Sequence, residues 1–193
     1  MILTLITGPG SEPVTVAEAK LHVRQDGSAD DALLDAMVVA AREMAEAITR
    51  RALISQTWEY RLDSWPAGDV LHLPLAPLQS VTSIKYVDED GAESTLSADD
   101  YVVDSYSEPG RVRLKASSSW PSTSLQVVNG VVVRFVCGWA NANAVPQTIK
   151  NAMLLMIGHW YENREMILTT GAMPKDIPFT VEALLWPQRV IQF

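Results

Sequence analysis

The sequence predicts an α+β fold, with amphipathic helices at both ends of the chain and an inserted antiparallel β module. Three observations carry that expectation. Apolar residues recur at three-and-four spacing over residues 31–53 and again over 146–164, the period of a helix that buries one face. Between residues 55 and 138 the period becomes strand-like and turn residues punctuate it at regular intervals. No strand-helix-strand alternation occurs, so nothing builds a parallel sheet. The expected division is a helical core with a C-terminal docking tail, residues 1–54 plus 139–193, and a β module, residues 55–138.

Taken in order, Ile2 to Ile6 is a short extended start, followed by the Gly8-Pro9-Gly10 turn. Thr15 and Glu18 have the spacing of a capping box, so a helix is expected from Val16 to Arg24. A second begins near residues 28–31, where Asp30 and Asp31 suit the positive end of the helix dipole. It runs to about Leu53, with Arg50 and Arg51 in its last turn. Leu33, Leu34, Met37, Val38, Ala41, Met44, Ala45 and Ile48 supply its apolar face.

In the β module Trp58 to Leu62 alternates and Val70 to Leu73 is short, while Pro74 and Pro77 demote the Leu71 to Leu78 stretch to an edge or connector. Val81 to Val87 runs into Asp88-Glu89-Asp90-Gly91, a hairpin turn in which Gly91 supplies the positive φ. Tyr101 to Asp104 and Arg111 to Leu114 flank another turn at Glu108-Pro109-Gly110, and Val127 to Val136 is the longest β-branched run. About six strands are expected. Pro146 suits the first position of a third helix running through Arg164, with Ile149, Met153, Met156 or Ile157, and Trp160 on one face. Thr169 to Pro178 reads as a loop and Val181 to Leu185 as a helical turn. The tail from Pro187 to Phe193 is too short to fold alone, so Val190, Ile191 and Phe193 imply docking on something.

At 193 residues, 48% of them apolar, the chain is long enough to bury a real core. Its longest apolar helical stretch falls far short of the roughly 20 residues that span a bilayer. The N-terminus lacks the basic region of a signal peptide. The single Cys137 forbids an intrachain disulfide and sits in an apolar run, where cysteine behaves as a small hydrophobe. The net charge is −8, and the acidic excess lies in residues 1–138, with residues 139–193 balanced. Tight phosphate binding needs clustered Lys and Arg, and only Arg50-Arg51 and Arg111 to Lys115 come near it. A DNA-gripping surface is disfavoured and a DNA-repelling one is allowed.

Chemistry is hard to find. His22, His72 and His159 stand at no metal-ligand spacing, and His159 with Glu162 would need further ligands. There is no nucleophile elbow, phosphate loop or dinucleotide fingerprint. Asp88 to Asp90 lacks the pattern of a calcium loop. Neither catalytic, metal nor cofactor-binding residues are expected. Six tryptophans, with Trp139, Trp160 and Trp186 in the last third, fit either a core or subunit contacts; Trp186 favours a contact, because its neighbours form too small a unit to bury it.

Several segments together resemble a family. Glu12-Pro13-Val14-Thr15-Val16-Ala17-Glu18-Ala19-Lys20-Leu21-His22-Val23-Arg24, Asp30-Asp31-Ala32-Leu33-Leu34, Arg51-Ala52-Leu53-Ile54-Ser55-Gln56-Thr57-Trp58 and His159-Trp160-Tyr161-Glu162-Asn163-Arg164 are similar to the head-tail connector proteins of tailed bacteriophages and gene transfer agents. The closing Val181 to Leu185 and Arg189 to Phe193 follow in the same order. The resemblance implies a non-enzymatic adaptor without cofactor, assembled in the host cytoplasm into the neck of a virion or particle. It would form a ring, a dodecamer, beneath the portal protein, with duplex DNA passing through its channel without tight binding, no membrane involved, and a stopper or tail-completion protein on its other side. Portal docking would fall to Phe179, Leu184, Leu185, Trp186, Arg189, Val190, Ile191 and Phe193. Lateral ring contacts would fall to Arg42, Glu46 and Arg50 on the long helix and to Trp160, Glu162 and Arg164 on the third. The rival expectations are a nucleic-acid-binding packaging protein and a small phage-encoded hydrolase.

Overall fold

The computed structural model describes residues 2–163 and 179–191. The chain divides into two compact units, one comprising Met1–Gly10, Ser55–Trp139 and Val190–Phe193, the other Ser11–Ile54 and Ala140–Arg189.

The first unit holds the strands: β1 (Ile2–Thr7), β2 (Gln56–Leu62), β3 (Val70–His72), β4 (Leu78–Val87), β5 (Glu93–Thr95), β6 (Tyr101–Asp104), β7 (Arg111–Leu114) and β8 (Val131–Cys137). They build a five-stranded sheet in the order β1-β2-β8-β4-β5 and a three-stranded sheet in the order β3-β7-β6, with every pair antiparallel. β8 shows why this sheet forms. Its alternate residues Val131, Val133, Phe135 and Cys137 are completely buried, while Arg134 points to the other face. β2 departs from the alternation its sequence suggests, burying Gln56, Glu59 and Leu62 instead. Glu59 is covered because Arg61 and Arg134 close over its carboxylate.

Two expectations change here. Residues 1–10, grouped by sequence with the helices, join the strands because β1 pairs with β2, Leu3 opposite Tyr60 and Leu5 opposite Trp58. The apolar run from Val127 does not extend as one strand: Val127 and Val128 are exposed and Asn129 is left-handed at φ 57°. Gly130 then passes so close to Leu125 that a Cβ would sit 2.9 Å from its side chain, so β8 starts only at Val131. The acidic hairpin forms as expected, with Gly91 at φ 84° and the Asp88 carboxylate accepting from Asp90 N and Ala92 N. Pro74 and Pro77 stand in the connector between β3 and β4.

The second unit holds α1 (Val16–Val23), α2 (Asp31–Thr49), α3 (Gln147–Glu162) and α4 (Phe179–Leu185). The capping box of α1 is present: Glu18 N donates to Thr15 Oγ1 at 3.1 Å and Thr15 N to Glu18 Oε2 at 2.7 Å. α1 and α2 both end on a left-handed arginine, Arg24 and Arg50, so α2 stops at Thr49, short of Leu53. Pro146 caps α3 rather than opening it; the expected end at Arg164 and the loop of residues 169–178 lie outside the described residues. Leu34, Val38, Ala41 and Ala45 of α2 pack with Ile149, Met153, Met156 and Ile157 of α3, all completely or almost completely buried. Burial of these side chains contributes about 1.5–3 kcal/mol for each large one.

Candidate functional site

Among the described residues no group of three or more His, Cys, Asp or Glu is placed to hold a metal ion, and Cys137 is completely buried. In the strand unit a cavity of about 540 Å3 is walled by Tyr60, Leu62, Trp65, Pro66, Leu71 and Pro74. Trp65 stacks on Trp120 with ring centroids 4.7 Å apart, and Trp120 donates to the Gly68 carbonyl. Both tryptophans are half-buried. The other face of the sheet carries Arg61 and Arg134 around Glu59, whose carboxyl is held below its ordinary value by hydrogen bonds from Arg134 and then Arg61. Its charge is satisfied within the sheet.

α4 is anchored in the helical unit by Val181 and Leu185, both completely buried, and packs on α3. The chain then tightens into a 3-10 turn, Trp186–Gln188, whose Gln188 carbonyl accepts from Arg51 Nε at 2.6 Å. This fixed turn displays Trp186, 66% exposed, with the Arg189 guanidinium 5.2 Å from its ring centre. A cation over an indole face is favourable in water, and here it holds the largest apolar side chain of the segment in the open. Leu184 is half-buried, Val190 is buried and Ile191 is 64% exposed. Of the expected docking residues, then, Leu185 and Val190 are engaged by the chain's own folding, and Trp186 and Ile191 stand free to meet a partner. Phe193 and the side chain of Phe179 lie outside the described residues.

The expected lateral residues divide in the same way. Arg42 is buried among acids: Nε donates to Glu12 Oε2 and Nη1 to Glu46 Oε2, each at 2.8 Å, with Glu43 at 3.6 Å. Burial works against its charge, but Glu46 and Glu12 outweigh it and hold the guanidinium above its ordinary value. Burial likewise pushes the Glu12 carboxyl up despite Arg42 beside it. Glu46 also accepts from Leu53 N at 2.8 Å, tying the chain after α2 back to the helix. Arg42 and Glu46 are thus internal braces, whereas Arg50 and Glu162 are exposed and Trp160 is half-buried; Arg164 lies outside the described residues. Sequence reasoning missed the exposed Leu21 of α1 and the apolar outer side of α2. The signal for the second was present, since α2 carries alanines on two opposite sides, Ala41 and Ala45 on one and Ala32, Ala36, Ala40 and Ala47 on the other.

No protein-family model and no curated protein matches the chain. Solved structures that match it include a chain from the neck of an empty gene transfer agent particle computed with C6 symmetry, at 29% identity and a TM-score of 0.80. A chain from the virion of a native gene transfer agent particle follows at 28% and 0.79, and one from the neck of a native particle computed with C12 symmetry at 27% and 0.78. Each comparison covers 100% of this chain and 97% of the other. From end to end, in fold and in more than a quarter of its residues, the chain is similar to components of the gene transfer agent particle and its neck, which supports the head-tail connector family that its motifs resemble.

Proposed function

We propose that this protein is a structural, non-enzymatic adaptor of a virion or particle neck, which assembles as a dodecameric ring between the portal of a DNA-filled capsid and the stopper or tail-completion protein. The observation that carries the reading is the end-to-end match with neck chains, one from a neck computed with C12 symmetry and one from a neck computed with C6 symmetry. The C-terminal segment docks on the portal through Trp186, Arg189 and Ile191, while Leu185 and Val190 set the position from which they project. Arg50, Trp160 and Glu162 lie on helices that build the ring wall, and Arg42 and Glu46 keep α2 in shape. DNA passes through the channel without being gripped, in keeping with a net charge of −8.

The test mixes the purified full chain with its cognate portal and determines the mass of the complex by light scattering, together with particle images. Truncation at residue 179 is the wrong variant, because it removes the buried Val181 and Leu185. Trp186→Glu and Ile191→Glu leave that anchor intact. A ring that forms on the portal with the wild-type chain and is lost with these variants supports the assignment. A wild-type chain that ignores the portal overturns the adaptor reading, and salt-dependent duplex binding in its place would point to a packaging protein.

A further inference from the structure

α2 is apolar on more sides than its own chain covers. Leu34, Val38, Ala41 and Ala45 face the core with at most 1% exposure. At about 100° per residue the opposite side carries Ala32, Leu33, Ala36, Ala40, Glu43 and Ala47, all exposed, with the exposed Asp35 at its margin. A helix that met only water there would carry polar residues. On α1, Leu21 is 82% exposed. One turn later comes Arg24, exposed and without an ion pair among the described residues. Beside them Gln25 buries a side-chain oxygen that finds no donor among the described residues.

We infer that α1 of one copy docks on α2 of the next, with Leu21 seated over Ala36 and Ala40 and Arg24 paired with Glu43. The inference rests on the ring reading above and names the contact that closes it. Charge complementarity selects the occupant. Glu43 has a side chain 65% exposed, and its pairing with Arg42 is loose at 3.6 Å, because Glu12 and Glu46 engage that guanidinium at 2.8 Å. It is the single acid on the outer side of α2 between Ala36 and Ala47, and Arg24 is the cation next to the exposed leucine. Spacing agrees as well. Ala40 and Glu43 stand three residues apart on α2, a rise of about 4.5 Å, and Arg24, the left-handed residue that ends α1, follows Leu21 by the same number of residues, so one placement brings leucine over alanine and arginine to glutamate together. Shape agrees too: a leucine needs a place where the facing side chains are short, and the alanines supply it. The two patches differ in composition, so their contact is heterologous. A heterologous contact propagates around a ring, whereas a self-complementary one stops at a dimer.

The experiment measures the concentration at which the full chain assembles, alone and on its portal, by light scattering with particle images, for the wild type, Arg24→Glu, Glu43→Arg, the double exchange, and Ala40→Glu. Each single variant is expected to raise the assembly concentration about tenfold or more, the double exchange to return it to within about threefold of wild type, and Ala40→Glu to block assembly. Thermal melting of the free chains separates assembly from folding, and Ala40→Glu leaves the ion pair untouched. If the wild type forms no ring, the ring reading itself falls and this contact with it. If the wild type and all variants assemble alike, the ring stands and the contact is wrong. If both singles fail and the exchange does not restore assembly, Arg24 and Glu43 do not face one another.

Discussion

Arg42 shows how a charge on a helix can be mistaken for an interface residue. Its guanidinium has a side-chain exposure of 9% and bridges Glu12, Glu43 and Glu46, linking the segment before α1 to α2. Removing one partner of such a cluster leaves the others buried without compensation. Arg42→Met is therefore expected to destabilise the helical unit by about 3 kcal/mol, at the lower end of the range because Glu12 keeps a side-chain exposure of 23%. Urea unfolding followed by circular dichroism would check it, and an unchanged midpoint would show that the acids relax into water. Asp104 gives a prediction in pH. Its carboxyl is lowered from 3.8 to about 2, first by the Ser107 hydroxyl, then by Ser107 N and Arg111 Nε, with a smaller contribution from Tyr106 N. Because the folded value lies below the unfolded one, its stabilisation is fully present above pH 3.8 and fades as the pH falls towards 2. Asp104→Asn should melt lower than wild type at pH 7, and the gap should close as the pH approaches 2. A gap independent of pH would mean that the loop is held by shape and not by the carboxylate.

At the scale of the element, the open side of the five-stranded sheet stands out. β1, Ile2–Thr7, has neither charge nor proline, and Ile2, Leu5 and Ile6 are 49%, 45% and 44% exposed. At the other end β5 is only three residues long and carries Glu93, which pairs with Lys85 at 2.6 Å. Short, charged edges resist pairing with foreign strands, and long apolar ones invite it. Ile6 falls where the β1–β2 register shifts, so Ile6→Lys leaves the paired residues in place. It is expected to reduce concentration-dependent scattering of the free protein, and equal scattering would locate self-association elsewhere. These elements also show what could be read in advance. β6 and β7 were legible to the residue, and so was the capping box of Thr15 and Glu18, because turn chemistry and hydrogen-bonding spacing are local. The partner of β1 was not, since pairing is decided by a strand 50 residues away. Val127 and Val128 have the composition of a strand, and only the left-handed Asn129 and the crowding at Gly130 make them a tip. The C-terminal tail was legible as a segment too short to fold alone. Which of its residues remain outside, Trp186 rather than Leu185, depends on the packing of α4.

For the whole molecule the governing quantity is a net charge of −8. Repulsion of this kind reaches only about one Debye length, about 8 Å at physiological salt, so in the proposed ring it would act on DNA close to the channel wall and be weak at a distance. The free chain is accordingly expected to show no measurable affinity for duplex DNA at physiological salt, with no change on dilution of the salt. Fluorescence anisotropy of a labelled duplex at two salt concentrations checks this. A salt-dependent complex would mean that Arg111, Arg113 and Lys115 form a phosphate site despite the surrounding acids. The acids at the tip of the β4–β5 hairpin, Asp88, Glu89 and Asp90, offer the sharper experiment, because exchanging all three for lysine moves the net charge by six units while Gly91 still makes the turn. If this tip borders the channel, particles carrying the variant should release their DNA more slowly at low salt and recover as salt is raised, since screening removes a phosphate attraction. Release at the wild-type rate, with assembly intact, would place the tip away from the DNA and leave the conduit to other acids of the chain.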